Sequence, residues 1–240
     1  MNYDLTKFKA GCEALNIELT EEQYRQFITY YEMLVEKNKV MNLTAITEYE
    51  EVIEKHFLDS LSLIKVIELD NDLSVLDLGT GAGFPGIPLK IAFPKLNVLL
   101  MDSLNKRINF LQEVIDALGL ENIAAVHGRA EEMARKKEYR ENFDLCVSRA
   151  VANLASLSEY CIPFVKENGC FISYKSGEIE EEVQQAEKAV KVLGGKVKEV
   201  IKFQLPNTEM SRSFVKVEKK KPTPKAYPRK AGTPGKEPIK

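Results

Sequence analysis

The stretch from Val75 to Leu89, VLDLGTGAGFPGIPL, constrains the fold more than any other part of the chain. Its short apolar run, Val75, Leu76 and Leu78, reads as a buried strand. Gly79, Gly81 and Gly83 follow at once, and Phe84, Pro85 and Gly86 lead into a short helical stretch. Pro85 suits a first helical turn, where its missing N–H costs nothing. Strand, tight turn and helix start is the usual place for a nucleotide-like ligand in an open α/β sheet. Glycines let the backbone approach a ligand and take positive φ. The helix start offers unpaired N–H groups to a carboxylate or phosphate. A tight turn with no ligand is the plainer reading. Against it stands Asp102, which closes the next apolar run, NVLLMDS, where an acid can reach ribose hydroxyls.

Two cofactor classes compete for this stretch. Gly81, Gly83 and Gly86 spell G-x-G-x-x-G, the dinucleotide signature. Asp77, Gly79, Gly81 and Gly83, each two apart, match the motif of class I methyltransferases, which bind S-adenosylmethionine. Asp102 serves either reading, whereas the upstream Asp77 favours the second.

The remaining periodicities place this motif in a larger frame. Asp4 to Leu15 carries Leu5, Phe8, Cys12 and Leu15 at helical spacing. Thr20 with Gln23 forms a capping box for a second helix, whose stripe of Tyr24, Phe27, Ile28, Tyr31, Leu34 and Val35 reads as core rather than as a base-stacking face. After the link NKVMNLTAIT, Thr47 with Glu50 repeats the capping signature ahead of a third helix bearing His56, Asp59 and Ser60 in HFLDS. His56 and Asp59, three apart, share a helix surface, either as a local hydrogen bond or packing contact or at a ligand's mouth. Strands follow at 97–101, 123–126, 143–147 and 169–174, with helices at 105–118, to about 162, and 178–193. Val197 to Leu205 and Ser213 to Glu218 are then two strands with only a short turn between them, so they pair antiparallel. A run of βα units ending in an antiparallel hairpin describes the seven-stranded methyltransferase sheet, whose last strand is reversed. A dinucleotide domain would more naturally end in another βα unit, so the hairpin decides for the methyl donor.

The expected fold class is therefore α/β, a class I S-adenosylmethionine-dependent methyltransferase fold with an N-terminal helical extension. Residues 1–70 form that extension packed on the core, 71–218 the methyltransferase core, and 219–240 a basic tail, which is Pro-, Gly- and Lys-rich and reads as flexible. The net charge of −2 hides an asymmetry: from Lys219 onward eight Lys/Arg face one Glu, a local +7, leaving the body near −9. An acidic body with a basic end suggests a polyanionic partner touched at one place. Tyr227 and Arg229, in YPRKAGTPGK, are the tail's candidates for base and phosphate contact.

Composition is otherwise globular. No apolar run approaches membrane-spanning length, and Met1 to Leu15 lacks the pattern of a signal peptide, so a cytoplasmic location is expected. Cys12, Cys146, Cys161 and Cys170 have no C-x-x-C spacing and read as free buried thiols, and two histidines, His56 and His127, exclude a histidine-rich metal site. No exposed edge or coiled-coil seam compels an oligomer, so a monomer is favoured.

NLTAIT, HFLDSL, VLDLGTGAGFPGIPL, GRAEE, SRAVA and YPRKAGTPGK, in that order, resemble the bacterial small-subunit ribosomal RNA guanine-N7 methyltransferase G family, also called the glucose-inhibited division protein B family. The resemblance spans nearly the whole chain. It implies methyl transfer from S-adenosyl-L-methionine to N7 of one guanine in the 530 loop of 16S rRNA, with 16S rRNA or the small ribosomal subunit as partner. By position, it implies cofactor contacts from Gly79, Gly81, Gly83 and Phe84 in the first loop, from Asp102, Ser103 and Leu104 on the ribose side, from Ala130 and Glu131 beside the adenine, and from Arg149 near the entry of the target base. His56, Arg149, Lys175, Tyr227 and Arg229 are the candidates for contact with substrate. The sequence carries no polar-Pro-Pro-aromatic motif after the fourth strand, as an exocyclic amine acceptor would need, and Cys146 falls inside a strand, away from any nucleophilic role. Guanine N7 needs neither, so no catalytic residue and no metal is expected, only proximity and alignment. A catalytically silent cofactor sensor and a small-molecule or protein methyltransferase are the alternatives.

Overall fold

The computed structural model describes residues 3–149 and 152–240. Two helices, α1 (Thr6–Ala14) and α2 (Glu21–Met41), lead into a helical run over residues 49–65. That run is α3 (Tyr49–Val52), a π-turn (Ile53–Leu58), α4 (Asp59–Leu61) and a 3-10 turn (Ser62–Lys65). Then come β1 (Ser74–Leu78), α5 (Gly86–Ala92), β2 (Asn97–Asp102), α6 (Asn105–Leu118), β3 (Ile123–His127), α7 (Ala130–Met133) and β4 (Phe143–Arg149). The chain ends with α8 (Leu154–Cys161), β5 (Val165–Ser176), α9 (Glu180–Val192), β6 (Gly195–Gln204), β7 (Ser211–Lys219) and α10 (Thr233–Lys236).

The seven strands form one sheet in the order β3-β2-β1-β4-β5-β7-β6. Strands β1 to β5 pair parallel, while β7 runs antiparallel to both β5 and β6. The hairpin read from the sequence is thus present, with β7 inserted between its partner and the parallel block. The strand order reverses between β1 and β4, where ligands of open α/β sheets lie beyond the carboxyl ends.

Alternation along β1 explains the layers. Val75 belongs to an apolar cluster with α1, α2, α5 and α6, whereas Leu76 and Leu78 join one with α8 and α9 on the other face. A parallel sheet covered on both faces needs such near-continuous apolar strands. The N-terminal helices share the first cluster with the sheet, through Phe8, Phe27, Leu34 and Phe57. The aromatic stripe of α2 is core. All four cysteines are free and buried, and burial pushes the Cys12 thiol up to about 12 and that of Cys170 up to about 11.

Caps follow the sequence unevenly. Thr20 Oγ1 accepts the Gln23 N–H and Gln23 Oε1 accepts the Thr20 N–H, as its spacing predicts. Gln23 Nε2 also donates to the Ile91 carbonyl at 2.7 Å, which ties the start of α2 to the end of α5. The second expected capping box is not formed: α3 begins after Glu48 without a side-chain cap, and the Thr47 carbonyl accepts the Tyr31 hydroxyl instead. Nor is the third helix regular. Its π-turn inserts a residue, and His56, Phe57, Leu58, Asp59, Ser60 and Leu61 are all buried, so no single face describes it.

The 219–240 segment is not the free tail its composition suggests. Thr223 and Pro234 are buried, and the segment lies against α7, α8 and the loop that precedes β4. Arg140, in that loop, donates to the carbonyls of Thr223, Pro224 and Tyr227, which meets backbone acceptors that Pro-rich chain leaves unpaired. Lys219, at the end of β7, is 1 % exposed and bonds the Ile162 and Val165 carbonyls and Thr223 Oγ1.

Tyr30 of α2 reaches across to the glycine turn and donates its hydroxyl to the Ala82 carbonyl at 2.6 Å, with both residues buried. Tyr30→Phe leaves that acceptor unpaired, and we expect a loss of about 1–3 kcal/mol in unfolding free energy. Urea melts check this, and an unchanged midpoint would refute the brace.

Candidate functional site

Gly79, Gly81 and Gly83 all take positive φ, at 72°, 62° and 109°. Their reasons differ. A Cβ on Gly83 would lie 2.6 Å from the Tyr30 hydroxyl and from Ile87 Cδ1, and one on Gly86 would lie 2.3 Å from Leu100 Cδ2. Those two glycines serve packing. Around Gly81 the nearest such atom is 4.0 Å away, so space remains for something other than protein. Gly79 lines the cavity described below.

Asp77 closes the turn from beneath. Its Oδ2 accepts the Thr80 hydroxyl at 2.6 Å and the Gly86 N–H at 2.8 Å. The first N–H of α5 is therefore capped from within and is not the open anion site that the sequence suggests. Asp77 is fully buried, burial pushes its carboxyl up to about 6, and its Oδ1 has no partner among the described residues.

A cavity of about 510 Å³ opens beyond the carboxyl ends of β1, β2 and β3, within the range of about 300–1,000 Å³ usual for small-molecule sites. Of the residues that the resemblance implies for the cofactor, Gly79, Asp102, Ser103, Ala130 and Glu131 line it, whereas Gly81, Gly83 and Leu104 do not. Asp102 Oδ2 accepts the Gly81 N–H at 3.0 Å and Arg107 Nη1 at 3.1 Å, and its Oδ1 accepts the Leu104 N–H at 2.9 Å. Leu104 lies beside it, 42 % exposed for a large apolar side chain. The carboxylates of Asp102 and Glu131 can accept from hydroxyl and amine donors there, and Arg107 and Arg129 on the same lining balance their charge. Arg107, Tyr160 and Gly232 also line it and were not foreseen. Arg107 has a weak signal, lying five residues past Asp102 on one helix start. Tyr160 and Gly232 have none, because only the fold brings residues so distant in sequence to Glu131.

Phe84 and Arg149 stand outside that lining, on a second cluster. Phe84 stacks on His56 with ring centroids 4.4 Å apart, and the Arg149 guanidinium lies 5.1 Å from the Phe84 centroid. Arg149 Nη1 donates to Asp59 Oδ2 at 2.7 Å and to the Lys55 carbonyl, and Nη2 reaches His56 Nδ1 at 3.2 Å. The same Nδ1 also lies 3.2 Å from the Lys55 carbonyl oxygen, and Nε2 lies 2.9 Å from Thr44 Oγ1. Burial first, and the Arg149 charge second, push the His56 pKa down to about 4. Asp59 also accepts Arg212 Nε at 2.6 Å, so two cations share one buried carboxylate. His56 and Asp59 thus meet through Arg149 rather than bonding each other. Ala150 and Val151 of SRAVA lie outside the described residues.

The other substrate candidates are occupied. Lys175 donates to the Ala152 carbonyl and to Glu182, holding the start of α8. Arg229 gives its guanidinium to Glu159, which is fully buried, and to the Glu237 carbonyl. Tyr227 packs against the apolar cluster containing Met133 and Phe164. An arginine and a tyrosine in a basic run look like RNA contacts by composition, but here a buried carboxylate and an apolar surface take them up.

The profile of the family described as GidB, rRNA small subunit methyltransferase G, matches residues 23–212. A protein of Lachnoclostridium phytofermentans named Ribosomal RNA small subunit methyltransferase G is 59 % identical over 236 residues, covering 98 % of each chain. One of the same name from Desulforamulus reducens is 54 % identical over 237 residues, covering 98 % of this chain and 99 % of its own. Among solved structures, a SAM-dependent methyltransferase from Aquifex aeolicus aligns with a TM-score of 0.53 at 18 % identity, over 76 % of this chain and 97 % of that one. TYW2 of M. jannaschii, solved in complex with AdoMet, gives 0.55 at 17 % identity, over 73 % and 79 %. These distant likenesses carry the fold.

Two titrations test the electrostatics. Asp77 has a folded pKa of about 6 against 3.8 unperturbed, so the folded state binds a proton more readily and this group makes folding less favourable as pH rises between those values. Asp77→Asn removes that slope: its melting temperature relative to the parent should climb from pH 4 to pH 6 and then level, as followed by circular dichroism. A pH-independent difference would count against a raised Asp77. For His56, the ring resonances should not titrate between pH 5.5 and 8 by NMR, and a midpoint near 6.5 would contradict the buried neutral ring.

Proposed function

The chain belongs to the rRNA small subunit methyltransferase G family, and from that premise we propose that it transfers a methyl group from S-adenosyl-L-methionine to N7 of a guanine in the 530 loop of 16S rRNA. The observation that carries this reading is the cavity lined by Asp102 and Glu131 at the carboxyl ends of β1 to β3, in a class I methyltransferase fold, beside the Phe84–His56–Arg149 cluster. The substrate is 16S rRNA, alone or within the small subunit, and such a substrate points to the cytoplasm. No helix among the described residues is long and apolar enough to cross a membrane.

The residues present fit the cofactor. Asp102 would take the ribose hydroxyls, with Arg107 giving up its hold on that carboxylate, and Ser103 and Leu104 would line the same side. Gly79 and Gly81 would let the backbone approach, Gly83 would keep the turn's shape, and Ala130 with Glu131 would flank the adenine. S-adenosylmethionine supplies an electrophilic methyl on a sulfonium. The chain's part is then alignment, which alone can supply a large share of a rate enhancement. Guanine N7 has its lone pair in the ring plane, so no base has to remove a proton and no cysteine has to attack. Cys146 is fully buried and burial raises its thiol far above the usual range, which supports excluding it. His56, held neutral, suits a ring that shapes the entry beside Phe84 better than a proton carrier. Arg149, fixed by Asp59 and the Lys55 carbonyl, would orient donor or base and not donate a proton.

Purified protein with the labelled methyl donor and 16S rRNA lacking the modification should transfer label to one guanine of the 530 loop. Label on protein or small molecules only would sink this reading. Asp102→Ala should weaken binding of S-adenosylhomocysteine by about 1.5–3 kcal/mol, the cost of hydrogen bonds to a charged group, or roughly 10- to 150-fold in Kd. Unchanged calorimetric binding would argue against the ribose role.

A further inference from the structure

We propose that the C-terminal segment 227–236 is a wall of the nucleoside cavity, docked so that its backbone fixes Glu131, and that cofactor binding and tail docking are therefore coupled. The proposal rests on the cofactor reading above and extends it to a segment whose composition points to RNA.

Four observations carry it. Gly232 lines the cavity, and its N–H donates to Glu131 Oε1 at 2.8 Å. Glu131 is 8 % exposed and stands on α7, a helix of only four residues that cannot hold a side chain rigidly by itself. Gly232 takes φ 83°, with nothing within 4 Å of where a Cβ would stand. A side chain would have room there, so it is the backbone conformation that asks for glycine.

The segment is anchored on both sides of that contact. Before it, the Arg229 N–H and guanidinium bond Glu159 at 2.6–3.1 Å, and Arg135 donates to the Pro228 carbonyl at 2.5 Å. After it, Ser156 donates its hydroxyl to the Pro234 carbonyl at 2.7 Å. Glu159 is fully buried, so its pairing with Arg229 fixes the tail against α8, and an unpaired carboxylate there would be costly. Tyr160, the next residue of α8, lines the same cavity. A Cβ on Gly235 would come within 3.1 Å of the Tyr160 hydroxyl, so the tail also packs on that wall.

One carboxylate oxygen of Glu131 is thus spent on the tail. Among the described residues no donor reaches Oε2, which leaves it for an amine of the ligand. A tail that docks only loosely would let Glu131 turn, and a ligand that holds Glu131 in place would favour the docked tail by mass action. By linkage the two effects are equal.

Hydrogen exchange on the full-length chain, with and without saturating S-adenosylhomocysteine, tests this. Amides of 227–236 should exchange at least tenfold more slowly with the ligand, together with the peptide containing Asp102. Protection at Asp102 with none in 227–236 would overturn the coupling while leaving the cofactor reading intact. Protection of neither would overturn both. Protection of 227–236 by a 16S rRNA fragment, but not by the nucleoside, would also overturn it and return the tail to RNA. A second arm uses the pair Glu159→Gln and Arg229→Gln, which loosens the anchor without leaving a lone buried charge. Its Kd for S-adenosylhomocysteine should rise at least tenfold with the melting temperature of the parent nearly retained, and an unchanged Kd would count against the wall.

Discussion

A carboxylate buried at the end of a central strand must find donors, and Asp77 finds them in the turn that follows it. Its Oδ2 holds both Thr80 and the first N–H of α5, so strand end, turn and helix start are drawn to one point. The positive φ at Gly79, Gly81 and Gly83 is the backbone path this closure requires. Gly83 and Gly86 must be small because Tyr30, Leu100 and Asp77 itself occupy the space. Tyr30 presses from the other side through Ala82, which makes the N-terminal helices part of the site's foundation. Asp102 completes the hold by accepting the Gly81 N–H. The turn is thus shaped in advance of any ligand by three side chains from three separate elements.

Charge near the site is managed by sharing. Asp59 satisfies Arg149 and Arg212 together, which keeps Arg149 in place yet leaves the cluster with one positive charge in excess. That excess helps explain why His56 stays neutral: a second cation in the same buried place would be doubly disfavoured, by desolvation and by repulsion. His56 lies in the π-turn and Asp59 directly after it, and both are buried.

The sheet was readable because its strands are short apolar runs with glycine or acid at their ends, and because the final hairpin has no room for a helix. Gly79 and Asp102 were readable from the residues themselves, as a glycine turn and an acid at successive strand ends, whereas Ser103, Ala130 and Glu131 entered only through the family resemblance. The internal capping of α5 was not readable, since Asp77 looks equally like a ligand contact or a structural acid until its partners are seen. The break in the third helix was hidden as well, because a π-turn leaves no mark on apolar spacing. Arg212 is a single basic residue in a strand, and nothing local predicts that Asp59, far back in the chain, would need it.

The tail is the sharpest divergence, and its cause is physical. Lys, Pro and Gly without periodicity mark a chain that cannot build its own core, but they say nothing about whether another surface will accept it. Here the body supplies that surface: Glu159 pairs with Arg229 and Glu141 with Lys219, while Glu131 accepts the Gly232 N–H, and part of the acidic excess of residues 1–218 is thus the counterpart of the basic end. A charge asymmetry along a sequence can be satisfied within the molecule as readily as by a polyanion outside it. What separates the two is where the carboxylates stand: on a solvated face they would leave the basic end for a partner, whereas Glu159, fully buried, required its arginine before any partner arrived.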